Sequence, residues 1–232
     1  MFGLEPGDRV LAVPPHPDDE TLGAGGTIAR LTEAGIEVHV LALACVTLPR
    51  WGAATNTARR RAEFEMACDV LGVAGRDIAW SDDHRARNLG AHLSELVRLL
   101  EAGHALSLAE LRPEAMLIPA AGAVHQDHQA AHQGCYAAAR PTGGLRHVPR
   151  LVLGFRGPED HAWSPRSPHA SVLVDITASS ALKDKALNCY AGEMRDPGHP
   201  RSLDRIRAID TATAAALGCE RAEAFVPYRM AW

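Results

Sequence analysis

The chain has 232 residues, 24 of them basic and 28 acidic, giving a formal net charge of −4; 47% are hydrophobic and 22% charged. That length can bury a substantial core and that composition is globular, which excludes a disordered chain. The acidic balance, without a basic stripe, argues against nucleic acid as the main partner, and no apolar run approaches the roughly 18–20 residues of a membrane span.

Five cysteines (Cys45, Cys68, Cys135, Cys189, Cys219) lie far apart without a C-x-x-C pair and read as reduced thiols. The stretch from Met1 to Arg9 lacks the basic start and apolar core of a signal peptide. A soluble cytoplasmic protein, with neither nucleic acid nor membrane as partner, is the expectation.

In chain order, residues 9–13 read as a strand stopped by Pro14-Pro15. Glycines follow at 23, 25 and 26, then a helical pattern through Ile28 and Leu31 to Gly35. Residues 37–44 are almost continuously apolar, as a strand buried on both faces should be. A helix is expected over 57–71 with Gly72 as its stop, then a third strand over 77–80. The spacing of Leu89, Leu93, Leu96, Val97 and Leu100 predicts a helix over 89–100. Residues 115–119 form a fourth strand, followed by a small-residue loop and a helix over 127–139. Residues 151–155 and 171–176 read as strands separated by a loop. Helices over 179–194 and 203–217 are divided by Asp196-Pro197-Gly198-His199-Pro200. This alternation predicts one α/β domain over 1–232, doubly wound, with a mostly parallel sheet and helices on both faces.

Directly after the first strand stands Pro15-His16-Pro17-Asp18-Asp19-Glu20. Adjacent carboxylates repel unless a cation, water or hydrogen bonds offset the repulsion. A helix start needs one acid and no histidine; a metal site accounts for the acids and the histidine together. A second cluster, His125-Gln126-Asp127-His128 with His132 a turn later, follows the fourth strand. Its i, i+3 pair His125 and His128 shares a helix face. In a doubly wound sheet of strand order 3-2-1-4-5, ligands bind between the carboxyl ends of the first and fourth strands. The two clusters are therefore expected to meet in that crevice. Two histidines and a carboxylate leave an open position on Zn²⁺, the catalytic pattern, and bound water there reaches a pKa of roughly 7. A spare carboxylate can take the water proton and a second histidine can stabilise an oxyanion. The inventory suits metal-assisted amide hydrolysis without choosing the amide.

These residues resemble the PIG-L/LmbE-like zinc-dependent N-acetylglucosaminyl deacetylases. The likeness is carried by His16-Pro17-Asp18-Asp19-Glu20 with Thr21-Leu22-Gly23 and Gly25-Gly26-Thr27-Ile28 behind it, and by His125-x-Asp127-His128. The helix ending in Leu71-Gly72, Val174-Asp175-Ile176-Thr177, His199-Pro200-Arg201-Ser202 and Ala222-Glu223-Ala224-Phe225 extend it over most of the chain. The resemblance implies a Rossmann-like fold with Zn²⁺ held by His16, Asp19 and His128. It implies Asp18 as general base and His125 as oxyanion stabiliser or acid, oriented by Asp127, with Glu20 supporting the site rather than binding metal. The reaction it implies removes an N-acetyl or related N-acyl group from a small amino-sugar conjugate of the N-acetylglucosamine type. A mixed N/O site accepts other divalent ions too, and whether the chain forms a homo-oligomer stays open.

Two features depart from the family. Ala123-Val124 stand where some members carry a tyrosine, which puts more weight on His125. The loop Ala44-Cys45-Val46-Thr47-Leu48-Pro49-Arg50-Trp51 is apolar and points to a different or larger acceptor group, unless Trp51 simply packs on the surface. Arg61 within Arg59-Arg60-Arg61, Asp83 after the third strand, and His199 and Arg201 are substrate-binding candidates. Cys45 lies near the crevice but reads as a packing residue, and His132 reads as support or surface. Three other readings compete. A non-haem Fe(II) oxygenase would use His16, Asp18 and His128, against which the strand–helix alternation argues. A nucleotide-binding module would use Gly23-Ala24-Gly25-Gly26 as a phosphate loop, but these glycines come late after the strand. The third is a non-catalytic metal-binding protein of the same fold.

Overall fold

The computed structural model describes residues 1–50, 53–141, 147–165 and 168–231. Its first half runs β1 (Arg9–Ala12), α1 (Asp19–Glu33), β2 (Glu37–Cys45), β3 (Pro49–Arg50), β4 (Ala53–Ala54), α2 (Thr57–Val70), β5 (Gly75–Ser81), α3 (Leu93–Ala102) and α4 (Leu108–Leu111). Its second half runs β6 (Ala115–Pro119), α5 (Gln126–Ala138), β7 (Leu151–Phe155), α6 (Pro158–Trp163), β8 (Val172–Asp175), α7 (Ser180–Cys189), α8 (Leu203–Ala214) and β9 (Ala222–Met230).

Because side chains alternate across a strand, an apolar strand feeds two cores at once. Val10, Ala12, Val38, Val40 and Leu117 pack with Ile28 of α1 and Phe64 of α2 on one face. Leu11, Leu41, Leu43, Met116 and Ile118 pack with Leu96 of α3 and Cys135 of α5 on the other. Burying one such side chain is worth roughly 1.5–3 kcal/mol, so register is strongly specified. The seven-stranded sheet has the order β5-β2-β1-β6-β7-β9-β8. From β5 to β7 all pairings are parallel, which is the expected 3-2-1-4-5 order, and the crevice between β1 and β6 follows from it.

The sheet also has an antiparallel part that the sequence pattern does not announce. β9 inserts between β7 and β8 and is antiparallel to both. Pro227 lacks a ladder donor and buried Glu223 breaks the apolar rhythm, so this stretch does not read as a strand; the register shift between Val152 and Leu153 opposite it accommodates the proline. The stretch after β7, expected as a loop, holds α6. Pro158 opens that helix, and the Asp160 carboxylate accepts the Gly157 N–H at 3.3 Å. The helix expected over 179–194 ends at Cys189, where the chain turns and buries Tyr190 against α1.

Gly23 and Gly26 lie inside α1. A Cβ on Gly23 would stand 2.5 Å from the Phe155 ring, and one on Gly26 would stand 2.6 Å from the Ile176 side chain. They serve close packing of α1 and form no phosphate loop. Behind them Lys183, fully buried, reaches both oxygens of Asp210 at 2.9 Å and Glu223 at 2.8 Å, while Glu223 accepts the N–H groups of Gly26 and Thr27. This network pins the helix that carries the first acidic cluster. Among the described residues no helix is long and apolar enough to cross a membrane.

Candidate active site

The Val13 N–H donates to Leu117, and Leu43 and Ala44 donate to the carbonyls of Pro14 and Pro15, so the chain stays in the sheet up to His16. The Asp19 carboxylate then accepts the His16 N–H at 3.0 Å, folding the segment into the first turn of α1. Between them Asp18 has φ +114°, a region costing roughly 1–3 kcal/mol outside glycine. Fully buried Glu20 offsets part of this: one carboxylate oxygen accepts the Asp18 N–H at 3.1 Å, and the other is held by Thr21 at 2.7 Å and Tyr190 at 2.5 Å. Burial raises the Glu20 carboxyl to about 7.

Across the crevice, His125 caps α5 by accepting the Asp127 N–H on Nδ1 at 3.1 Å. The rings of His16, His125 and His128 lie 5.2–5.7 Å apart, centroid to centroid. Asp19 Oδ2 is 3.4 Å from His16 Nδ1 and 3.2 Å from His128 Nε2. Two groups sharing His16 have donor atoms within 4.8 Å of one another, namely His16, Asp19 and His128, and His16, His125 and Asp127. The residues fit a divalent cation, because Asp18 Oδ1, Asp19 Oδ1 and Asp127 Oδ1 are buried without hydrogen-bond partners. Burial works to lower His16, but hydrogen bonds to Asp127 and Asp19 prevail and hold it at about 9. Burial also opposes ionisation of Asp19, yet His128 and His16 keep its carboxyl well below the usual range. The pocket thus favours positive charge, a proton or a cation in competition with it.

Asp18 belongs to neither group. Its Oδ2 accepts from Arg201 at 2.8 Å, with Arg60 4.0 Å away. Burial lifts its carboxyl to about 6 against the pull of Arg201. The iron triad of His16, Asp18 and His128 is therefore not assembled: Asp19 is the carboxylate between the histidines, and the α/β architecture is not that of a jelly roll.

Several residues lie elsewhere than the sequence reading expects. The Asp127 carboxylate turns its Oδ2 to His16 Nε2 at 3.1 Å, and Asp127 bonds to His125 through its backbone N–H, although the carboxylate lies within 4.8 Å of that ring's nitrogen. Arg61 points away from the cleft and lies 3.6 Å from Asp77, whereas Arg60 is buried in the cleft wall, bonding Pro17 O at 3.0 Å. The signal was present: 60, 64, 67, 68 and 71 form the buried stripe of α2 and its end, and 61 is off it. Asp83 is absorbed in its own turn, accepting from the N–H groups of Arg85 and Ala86 and from the Arg85 side chain. Ala86 and Arg87 line the cleft in its place.

His199 and Arg201 do enter the cleft. His199 Nδ1 accepts the Arg201 N–H at 3.0 Å, and Arg201, besides Asp18, donates to Glu159 and lies 3.8 Å from Glu193. Glu159, Glu193 and Trp163 were not anticipated, since each comes from a segment with no local motif. The cleft measures about 530 Å³. Cys45 is buried at the end of β2, where burial raises its thiol. His132 bonds Pro119 O at 2.9 Å and is in neither ligand group. Trp51 lies outside the described residues.

Fold and site together define a doubly wound, Rossmann-like α/β protein whose switch-point crevice holds a His/Asp/His cation pocket beside an arginine-paired carboxylate. Residues 11–139 match the family model PIG-L, described as GlcNAc-PI de-N-acetylase. The 1D-myo-inositol 2-acetamido-2-deoxy-alpha-D-glucopyranoside deacetylase of Rhodococcus jostii (strain RHA1) is 31% identical over 239 residues, covering 80% of this chain and 82% of that protein. The solved structure of the conserved protein TT1542 from Thermus thermophilus has a TM-score of 0.73 and 25% identity, with 94% of this chain and 93% of that one covered. The A40926 pseudoaglycone deacetylase Dbv21 has a TM-score of 0.75 at 23% identity, with 94% and 96% covered, a likeness of fold. The chain belongs to the PIG-L family.

Proposed function

We propose that this protein is a metal-dependent N-deacetylase that hydrolyses the amide of an N-acetylglucosamine-type conjugate. The observation that carries the reading is Asp19 standing within hydrogen-bonding distance of both His16 and His128, with Asp18 beside it but outside the ligand group. The deacetylase relatives act on amides of this class by name, which supports the same reading.

His16, Asp19 and His128 would hold the cation, and zinc suits two imidazoles and a carboxylate. A divalent cation there supplies Lewis acidity toward water and the amide carbonyl. Asp127 supports His16 through Nε2, leaving Nδ1 toward Asp19, the carboxylate–histidine arrangement that fixes a ligand ring. Asp18 acts as general base: burial keeps its basicity, and Arg201 holds its Oδ2 while Oδ1 stays unpaired for a proton. After carbon–nitrogen cleavage the same carboxyl returns that proton to the leaving amine.

His125 stabilises the oxyanion. Burial, followed by repulsion from His16 and His128, lowers its pKa, so it is neutral at pH 7. With Nδ1 accepting the Asp127 N–H, the ring proton resides on Nε2, a donor for the carbonyl oxygen. Arg60, Arg201 and His199 line the substrate side. The five unpaired cysteines suit a reducing compartment such as the cytoplasm.

The test is primary-amine release from a panel of N-acetylglucosaminyl conjugates. Activity is expected to vanish after chelation, return with Zn²⁺, and disappear together with bound metal in Asp19→Ala. Full turnover by chelated, metal-free protein would overturn the mechanism.

A further inference from the structure

A second groove, about 510 Å³, adjoins the cleft. Its floor is Ala121-Gly122-Ala123, and Gln129 and Gln133 of α5 form one wall. The other wall is Trp163 at the end of α6. Trp163 and Val124 line both cavities. Both are unusually exposed for apolar side chains, at 54% and 46%, and Tyr136, stacked on the groove residue His132, is 45% exposed. Exposed apolar groups gathered at one place mark a binding surface more often than scattered ones do.

This ridge is built rather than incidental. The Asp160 carboxylate of α6 accepts the Val124 N–H at 2.9 Å, fixing Val124 beside Trp163. Ser164 donates to Gly122 O at 2.5 Å, tying the end of α6 to the groove floor. On the cleft side the Trp163 ring meets His199 edge to face, with centroids 5.7 Å apart. Val124 directly precedes His125 and both line the cleft, so the ridge adjoins the reacting centre.

We infer that the groove is the subsite for the aglycone, the part of the substrate attached to the reacting amino sugar, and that it takes a flat aromatic unit. This rests on the deacetylase reading above. The groove opens into the cleft across Val124 and Trp163, so its occupant touches the molecule being hydrolysed and is most simply part of it. An amino sugar alone is accommodated by the cleft. The groove's volume nearly equals the cleft's, and a lining of small residues with an exposed indole suits a ring stacked on Trp163. The exposed Gln133 side chain offers a polar partner for ring substituents.

The experiment compares free N-acetylglucosamine, its 2-naphthyl β-glycoside and N-decanoylglucosamine as substrates of the zinc-loaded protein. In parallel, calorimetry measures binding of glucosamine and 2-naphthyl β-glucosaminide, which carry no amide. The naphthyl glycoside is expected to exceed the free sugar by about tenfold or more in kcat/KM, and the naphthyl glucosaminide to bind tighter by a similar factor. Gln133→Trp, a change at an exposed position that fills the groove, should abolish both ratios, and Trp163→Ala should reduce both. Equal values for the aryl and free sugars in wild type overturn the subsite, as does a gain confined to the decanoyl substrate. If no substrate releases amine while the calorimetric preference persists and is lost in Gln133→Trp, the deacetylase reading fails and the aromatic subsite stands.

Discussion

Replacing Asp18 by asparagine removes one charge from the cleft while keeping the side chain's volume. The perturbation stays local, because Arg201 loses a 2.8 Å partner but keeps Glu159, with Glu193 at 3.8 Å, so no buried cation is stranded. The metal group His16, Asp19 and His128 is untouched. A positioned general base contributes about 10²–10⁴-fold, which at about 1.4 kcal/mol per decade is roughly 3–5 kcal/mol of barrier. The expected result is a fall of that size in kcat with metal content unchanged. The base works deprotonated, so the wild-type rate should fall with acid below the Asp18 pKa. Burial places that value at about 6, and a bound cation moves it lower. The Asn variant should lose this acid limb. Amine release across pH, with metal measured on the same samples, checks both points. A metal-replete Asp18→Asn enzyme that keeps more than about a tenth of wild-type kcat would refute the assignment.

Lys183→Met leaves buried Glu223 without a cation, while Asp210 keeps only Arg221, at 2.9 Å. Breaking one side of such a network costs about 3–5 kcal/mol; at about 2–4 °C per kcal/mol for a chain of this size, Tm should drop by roughly 6–20 °C. Thermal unfolding followed by circular dichroism measures it, and a drop under about 3 °C would contradict the account. Arg60→Ala withdraws the cation between Asp18 and Glu193 and should cost roughly tenfold or more in kcat/KM. Arg61→Ala frees only a half-exposed pair with Asp77 and should stay within about twofold; equal losses in the two variants would show that the helix phase is misassigned.

The legible part of this protein is the part whose physics is local. His16 to Glu20 and His125 to His128 are read from residue type and spacing, because clustered carboxylates beside histidine demand compensation wherever they fold. Their meeting was legible too, since apolar strands alternating with amphipathic helices allow few sheet orders, and the order found places both clusters at one crevice. Arg60 lies on the buried stripe of α2, which helix phase makes readable, and Arg61 lies one residue off it. By contrast β9 was hidden by Pro227 and Glu223, whose acceptance in a strand depends on a register shift in β7 and on the N–H groups of Gly26 and Thr27.

Residue type and period determined on their own the α/β class, the parallel core and the two clusters of acids and histidines that meet at the crevice. Tertiary structure alone decided who pairs with whom. It turned Asp127 toward His16, gave Arg201 to Asp18, bonded Tyr190 to Glu20, tied Val124 to Asp160 and set Trp163 against His199. Burial repeats along a chain and leaves a period, whereas a hydrogen bond or ring contact depends on distances of about 3–5 Å between segments far apart in sequence, and no local pattern encodes that.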